Sequence, residues 1–228
     1  MDSIYGQKVS VSGSWTGKKR VFMTDDKSDG VQNPFPSPGL IKGLAELGGQ
    51  VPGKARALPP VHLWDPAFCG DLDMVIRRSG VWEYGGSPIT RKAMVRLFSS
   101  VLRRDGDDRF YLVTPVEKCG IIVEDVPFLA VEMHASGTGA DQSLTFRTQV
   151  DDLVTADAAH PIRVDIDAQT NAPAPYVLVR GRLEALIHRP VFYEMVDLGV
   201  ENKVDGENLF GVWSGGVFWP FGRMEDLG

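Results

Sequence analysis

Six cations sit inside the hydrophobically patterned blocks of this 228-residue chain: Arg77, Arg91, Lys118, Arg163, Arg180 and Arg189. Such donors suit an anion, because the planar fork of a guanidinium matches phosphate. Six acids lie near them in sequence, namely Asp71, Asp73, Glu117, Glu124, Asp125 and Glu184, so ion pairing within the protein is the competing reading. As a group, one or two of the cations are expected to line a site. The aromatics Trp64, Trp82, Tyr84, Trp213 and Trp219 offer stacking faces for a base or bulk for a core. In Trp213-Ser214-Gly215-Gly216, two glycines beside an aromatic and a hydroxyl let backbone N–H groups approach a ligand. An ordinary hairpin turn accounts for the same residues. The ligand-binding candidates are Arg77, Arg91, Glu117, Lys118, Arg180, Trp213 and Ser214.

Covalent and metal chemistry find little in the spacing. Cys69 and Cys119 stand far apart, and His62, His134, His160 and His188 are scattered outside any nucleophile motif. No HxH, HExxH or CxxC spacing occurs, and Asp71/Asp73 or Asp165/Asp167 alone are a weak metal signal. Cys119, near Ile121 and Val123, reads as a small hydrophobe. Both cysteines are expected to be reduced thiols of a cytoplasmic protein. No catalytic residue, metal or cofactor is expected. The run Ala135 to Gly139 lacks the lysine and helix of a phosphate loop and reads as a turn.

The totals set broad bounds. A 43% hydrophobic, 24% charged composition is that of an ordinary folded protein. The net charge of -6 argues against extended nucleic-acid binding. No apolar run approaches the roughly 18 residues of a membrane span, and the polar start lacks a secretory apolar core.

Several elements must position the candidates. Residues 1–36 are Gly-, Ser- and Pro-rich and are expected to be disordered or a non-native extension, with Met23 a natural start. Ser37-Pro38 caps a helix over 38–48 with Leu40, Ile41, Leu44 and Leu47 at helical spacing. Strands are predicted around Met74-Ile76 and Val81-Tyr84, turning at Ser79-Gly80 and Gly85-Gly86. A helix from Thr90 buries Met94, Leu97, Phe98, Val101 and Leu102 and carries Arg103 and Arg104 in its last turn. Strands follow at 109–114, 117–124 and 127–134. Leu144, Phe146 and Thr148 then alternate with polar residues, as do Ile162, Val164 and Ile166, and Val177, Val179, Leu183, Ala185 and Ile187. Pro190 opens a helix closed by Gly199, and 211–222 is a hairpin turning at Gly215-Gly216.

Residues 81–98 and 177–198 echo each other as strand, glycine turn, strand, then Ile-x-Arg before a helix. The blocks CGDLDMVI (69–76), GVWEYGGSPITR (80–91), YLVTPVEKCGIIVEDVPF (111–128), HPIRVD (160–165), PYVLVRGRLEAL (175–186) and GVWSGGVFWPFG (211–222) resemble the DUF1285 family of bacterial proteins of unknown function. The resemblance covers roughly residues 38–222. It implies a duplicated α+β core of antiparallel sheets and short helices, with a C-terminal half like pleckstrin-homology folds. It also implies a nucleotide-like ligand between the domains and a role in signal transduction, and no catalytic residues.

The expectation is therefore an α+β protein with an N-terminal subdomain at 37–110 and a C-terminal one at 111–228. It binds a small anionic ligand at the subdomain interface. An enzyme using Glu117 or Asp125 with Lys118 on a phosphorylated or acyl substrate is the alternative, and a protein-interaction adaptor the third reading. Glu117 is expected on the apolar face of its strand, paired with Arg91 or Arg180. Lys118 should point to the opposite surface, with Thr114-Pro115-Val116-Glu117-Lys118 as a crevice wall.

Overall fold

The computed structural model describes residues 39–40, 42–43, 58–167, 172–223 and 225. The expected extension at 1–36 and most of the helix at 38–48 lie outside these. Six strands build a first sheet: β1 (Phe68–Ile76), β2 (Trp82–Tyr84), β3 (Ser87–Pro88), β4 (Leu102–Arg104), β5 (Phe110–Val113) and β6 (Lys118–Val123). A second sheet takes β7 (Phe128–Ser136), β8 (Ser143–Thr148), β9 (Leu153–Thr155), β10 (Ile162–Ile166), β11 (Pro173–Arg180) and β12 (Leu183–Ile187). Helix α1 (Lys92–Ser100) joins β3 to β4, and α2 (Arg189–Asp197) follows β12. A third sheet holds β13 (Val200–Val204), β14 (Glu207–Ser214) and β15 (Val217–Arg223).

The first two sheets have like topology. The first runs β3-β2-β1-β6-β5-β4, and the second, read from β9, runs β9-β8-β7-β12-β11-β10. Each is a pair of antiparallel meanders whose first and last strands lie parallel at the centre. Val75 sits opposite Ile122 in one, and Leu129 opposite Leu186 in the other. Antiparallel neighbours need only turns, whereas the parallel contact spans the whole sheet in sequence. The expected boundary at 110–111 falls at the start of β5, inside the first sheet, which continues to Val123. The two echoing segments are β2-β3-α1 and β11-β12-α2, each strand, turn, strand and helix as read. They hold different places, because β2 corresponds in strand order to β8.

Period-two patterning decides which faces are buried. Leu144, Phe146 and Thr148 are fully buried while their neighbours in β8 are not. Leu183, Ala185 and Ile187 repeat the pattern in β12. The apolar ones among these side chains join Met74, Ile76, Trp82, Leu112, Phe98 and Met195 in one contiguous core shared by both sheets and both helices.

Several expectations change: Met94 and Ile166 stay exposed, and two larger differences follow. Helix α1 stops at Ser100, and Leu102, Arg103 and Arg104 form β4 instead of a last helical turn. Ser99 and Ser100 donate their hydroxyls to the carbonyls of Arg96 and Leu97. Such back-bonding competes with the helical ladder, and β-strand pairing with β5 takes the chain beyond it. Arg103 instead binds Asp105 and the carbonyls of Val61 and Trp64. Second, Cys69 and Cys119 are joined as a disulfide, not held as separate thiols. The parallel pairing of β1 with β6 brings together residues 50 apart in sequence, at a Cα–Cα distance of 5.4 Å.

Candidate functional site

A groove of about 390 Å³ runs between the start of β11, the end of β12 and the first two turns of α2. Ala174, Leu186, Phe192 and Tyr193 line it, with Asp167, His188 and Arg189. The turn between β1 and β2 adds Arg78, so both sheets contribute. The α2 entry is built by Arg189-Pro190, with extended His188 at the N-cap and proline in the first turn, where its missing N–H is harmless.

A second hollow of about 420 Å³ shares Arg78, Asp167 and Ala174 and adds Glu124, Asp125, Asp165, Ile166 and Tyr176. Arg78 thus stands between the two. It pairs with Asp167 and lies 3.2 Å from Asp125, and its backbone N–H donates to Glu124 at 2.9 Å. The hydrogen bond to Asp167 holds the guanidinium above its ordinary pKa, against the opposing effect of burial. The Tyr176 hydroxyl donates to Asp125 at 3.1 Å, and Arg163 stacks over the ring at 4.0 Å. Burial, then the charge of Asp125 and that hydrogen bond, push the phenol up to about 12. The two hollows differ in sign. The one at α2 carries Arg78 and Arg189 against Asp167, and the other carries four carboxylates against Arg78.

The residues singled out in the sequence are dispersed. Arg77 is engaged by Glu83 at 2.5 Å and Glu124 at 2.7 Å. Arg91 is the N-cap of α1. Arg180 pairs with Asp152, donates to the Ser99 carbonyl at 2.9 Å and lies 4.8 Å above the Phe128 ring. It ties the end of α1 to the second sheet. Lys118 bonds Asp105 at 3.3 Å and sits 4.8 Å over Tyr111. None of the seven lines either hollow.

Glu117 and the Trp-Ser-Gly-Gly turn are likewise held by the fold. The carboxylate of Glu117 lies against Gly39, where a Cβ would overlap it, and Thr114 crowds Gly43 in the same way. The two glycines, four residues apart on one helical face, let the leading helical residues sit on the Thr114–Glu117 segment, so that segment is covered there. Ser214 is fully buried; its hydroxyl donates to the Ala156 carbonyl at 2.7 Å and accepts from Leu144 N–H at 2.9 Å. Gln142 donates to the Trp213 carbonyl at 2.8 Å, and Gly215, at a φ of 60° that favours glycine, donates its N–H to Gln142. The turn clasps the third sheet onto the second.

Among the lining residues, the sequence marks Arg189 among the cations, Glu124 and Asp125 among the acids, Asp165 and Asp167 as a weak metal signal, and His188 among the scattered histidines. Arg78 and Tyr176 carry no such mark. Their signal is faint: an arginine directly before the Ser79-Gly80 turn, and a tyrosine at the start of an alternating strand.

The sequence matches the N-terminal domain of unknown function DUF1285 over residues 59–126 and the DUF1285 C-terminal domain over 127–221. A crystal structure of a DUF1285 family protein from Silicibacter pomeroyi DSS-3 is 49% identical, with a TM-score of 0.73, covering 84% of this chain and 99% of that one. The chain belongs to the DUF1285 family. A second family member, from Shewanella baltica OS155, is 25% identical with a TM-score of 0.45, covering 55% of this chain and 91% of that one. No curated protein matches. The two DUF1285 domains meet between β6 and β7, so Arg78, Glu124 and Asp125 come from the N-terminal domain. The rest of both hollows comes from the C-terminal domain. Among the described residues no helix is long and apolar enough to cross a membrane.

Proposed function

We propose that this protein binds a small anionic, nucleotide-like molecule in the groove at the junction of its two DUF1285 domains, as a cytoplasmic component of signal transduction. The observation that carries the reading is the groove itself, lined from both domains and graded in charge. Phosphate belongs at the Arg189 end, where a guanidinium and the first-turn N–H groups of α2 favour negative charge. The carboxylates beside Tyr176 suit hydroxyl or amino donors of the same ligand. Tyr193, more than half exposed at the rim, offers a stacking face. The like strand order of the two sheets fits an origin by duplication. On the same reading, the C-terminal half is the pleckstrin-homology-like one.

A thermal-shift series with mono-, di- and cyclic nucleotides tests this. A ligand at a hundredfold excess over its Kd stabilises by about 2.7 kcal/mol. The expected result is a raised Tm with at least one nucleotide, lost in Arg189→Ala. No shift with any of them, or one that Arg189→Ala leaves intact, overturns the reading.

A further inference from the structure

The disulfide pair has a third neighbour. The sulfurs of Cys69 and Cys119 and a carboxylate oxygen of Glu117 all lie within 4.8 Å of one another. Glu117 precedes Cys119 by two residues on one chain segment, and the β1–β6 pairing supplies Cys69 from the other side. Gly70, at a φ of 105°, marks the irregularity in β1 that follows Cys69. Cys119 is fully buried, Glu117 half-buried and Cys69 exposed, so the cluster opens to solvent on one side.

We propose that, once reduced, Cys69, Cys119 and Glu117 hold one thiophilic divalent cation of the zinc class. The donor set is chemically apt: two thiolates and a carboxylate are established zinc ligands, and solvent fills the fourth position from the Cys69 side. Zinc–sulfur bonds of about 2.3 Å set two sulfurs about 3.8 Å apart in a tetrahedron. A Cα–Cα separation of 5.4 Å accommodates that as well as a bond. A phosphine reductant gives up two electrons to cleave the S–S bond and leaves as its oxide with the oxygen of a water molecule, whose two protons complete the two thiols. Those two protons depart when both sulfurs ligate as thiolates. The Glu117 carboxylate has lone pairs enough to ligate the ion while it lies against Gly39. The metal would thereby brace the leading helical residues against β6.

The full chain, reduced with a phosphine and freed of it under inert gas, is titrated with cobalt(II) as a spectroscopic stand-in. The expected result is two thiols in a colorimetric count and a near-ultraviolet sulfur-to-cobalt charge-transfer band. That band should saturate at one ion per chain and bleach on adding zinc. Cys69→Ser, a change at an exposed side chain, and Cys119→Ser should each abolish the band, and Glu117→Gln should weaken binding by about tenfold or more. The absence of a band in reduced protein overturns the proposal. A band that survives Cys69→Ser, or affinity unchanged in Glu117→Gln, does so too.

Discussion

The two six-stranded sheets share one strand order but spend their helices differently. In the first, α1 occupies the connection from β3 to β4. In the second, the matching connection from β9 to β10 is a short loop closed by the Asp157–His160 bridge, and the helix comes after β12. Helix α2 therefore leaves the sheet at the end of a central strand, and the groove lies where it departs. A shared topology sets where strands lie, and the placement of one helix decides which side keeps an opening.

The largest effect should come from the core that the sheets share. Phe146→Ala in the second sheet should cost about 3–5 kcal/mol and Leu112→Ala in the first about 2–5 kcal/mol, since both side chains are fully buried. Calorimetry should show one transition lowered in each variant; two separated transitions would break the comparison into independent units. Arg180→Ala, which removes the tie from Asp152 to the α1 carbonyl, should cost about 2 kcal/mol by urea denaturation. If Asp152→Ala costs as much again in that background, the two residues act separately and the tie is not a unit.

Next in size is an alkaline effect at Tyr176 of the second sheet. Tyr176 keeps its proton in the folded state to about 12, whereas an unfolded tyrosine ionises near about 10. Its contribution is fully present below the lower value and is lost as pH rises through the higher one. Urea midpoints across that window should fall, and Tyr176→Phe should flatten the fall. A profile unchanged in the variant removes Tyr176 as its source. Smallest is Glu207→Ala, which frees exposed Arg223 on the third sheet and should shift stability by less than about 1 kcal/mol.

Periodicity was the readable part of the sequence. The alternations at 144–148 and 183–187 identified inward faces correctly, because burial on one face of a strand imposes a period of two. The family membership was readable for a different reason, six ordered blocks of sequence. Pairing between distant strands left no local trace, so the β1–β6 contact and the Cys69–Cys119 bond were missed. The end of α1 was misjudged because Leu102 continues a helical apolar stripe while its real partner, Leu112, lies across a turn. The candidate cations were sought in conspicuous blocks. Most of them brace the fold there, whereas the groove draws on turn and helix-start residues.

The central parallel contact also has a consequence for how the chain assembles. In each sheet the two middle strands are the first and last of that sheet to be synthesised. Until β6 has emerged, β1 presents an unpaired inner edge, and β7 waits likewise for β12. Closure of such sequence-distant strands is slow compared with hairpin formation. The nascent subdomain thus carries its most adhesive surface, the row of free backbone groups that ends as the middle of the sheet, for the whole time the ribosome needs to deliver its partner.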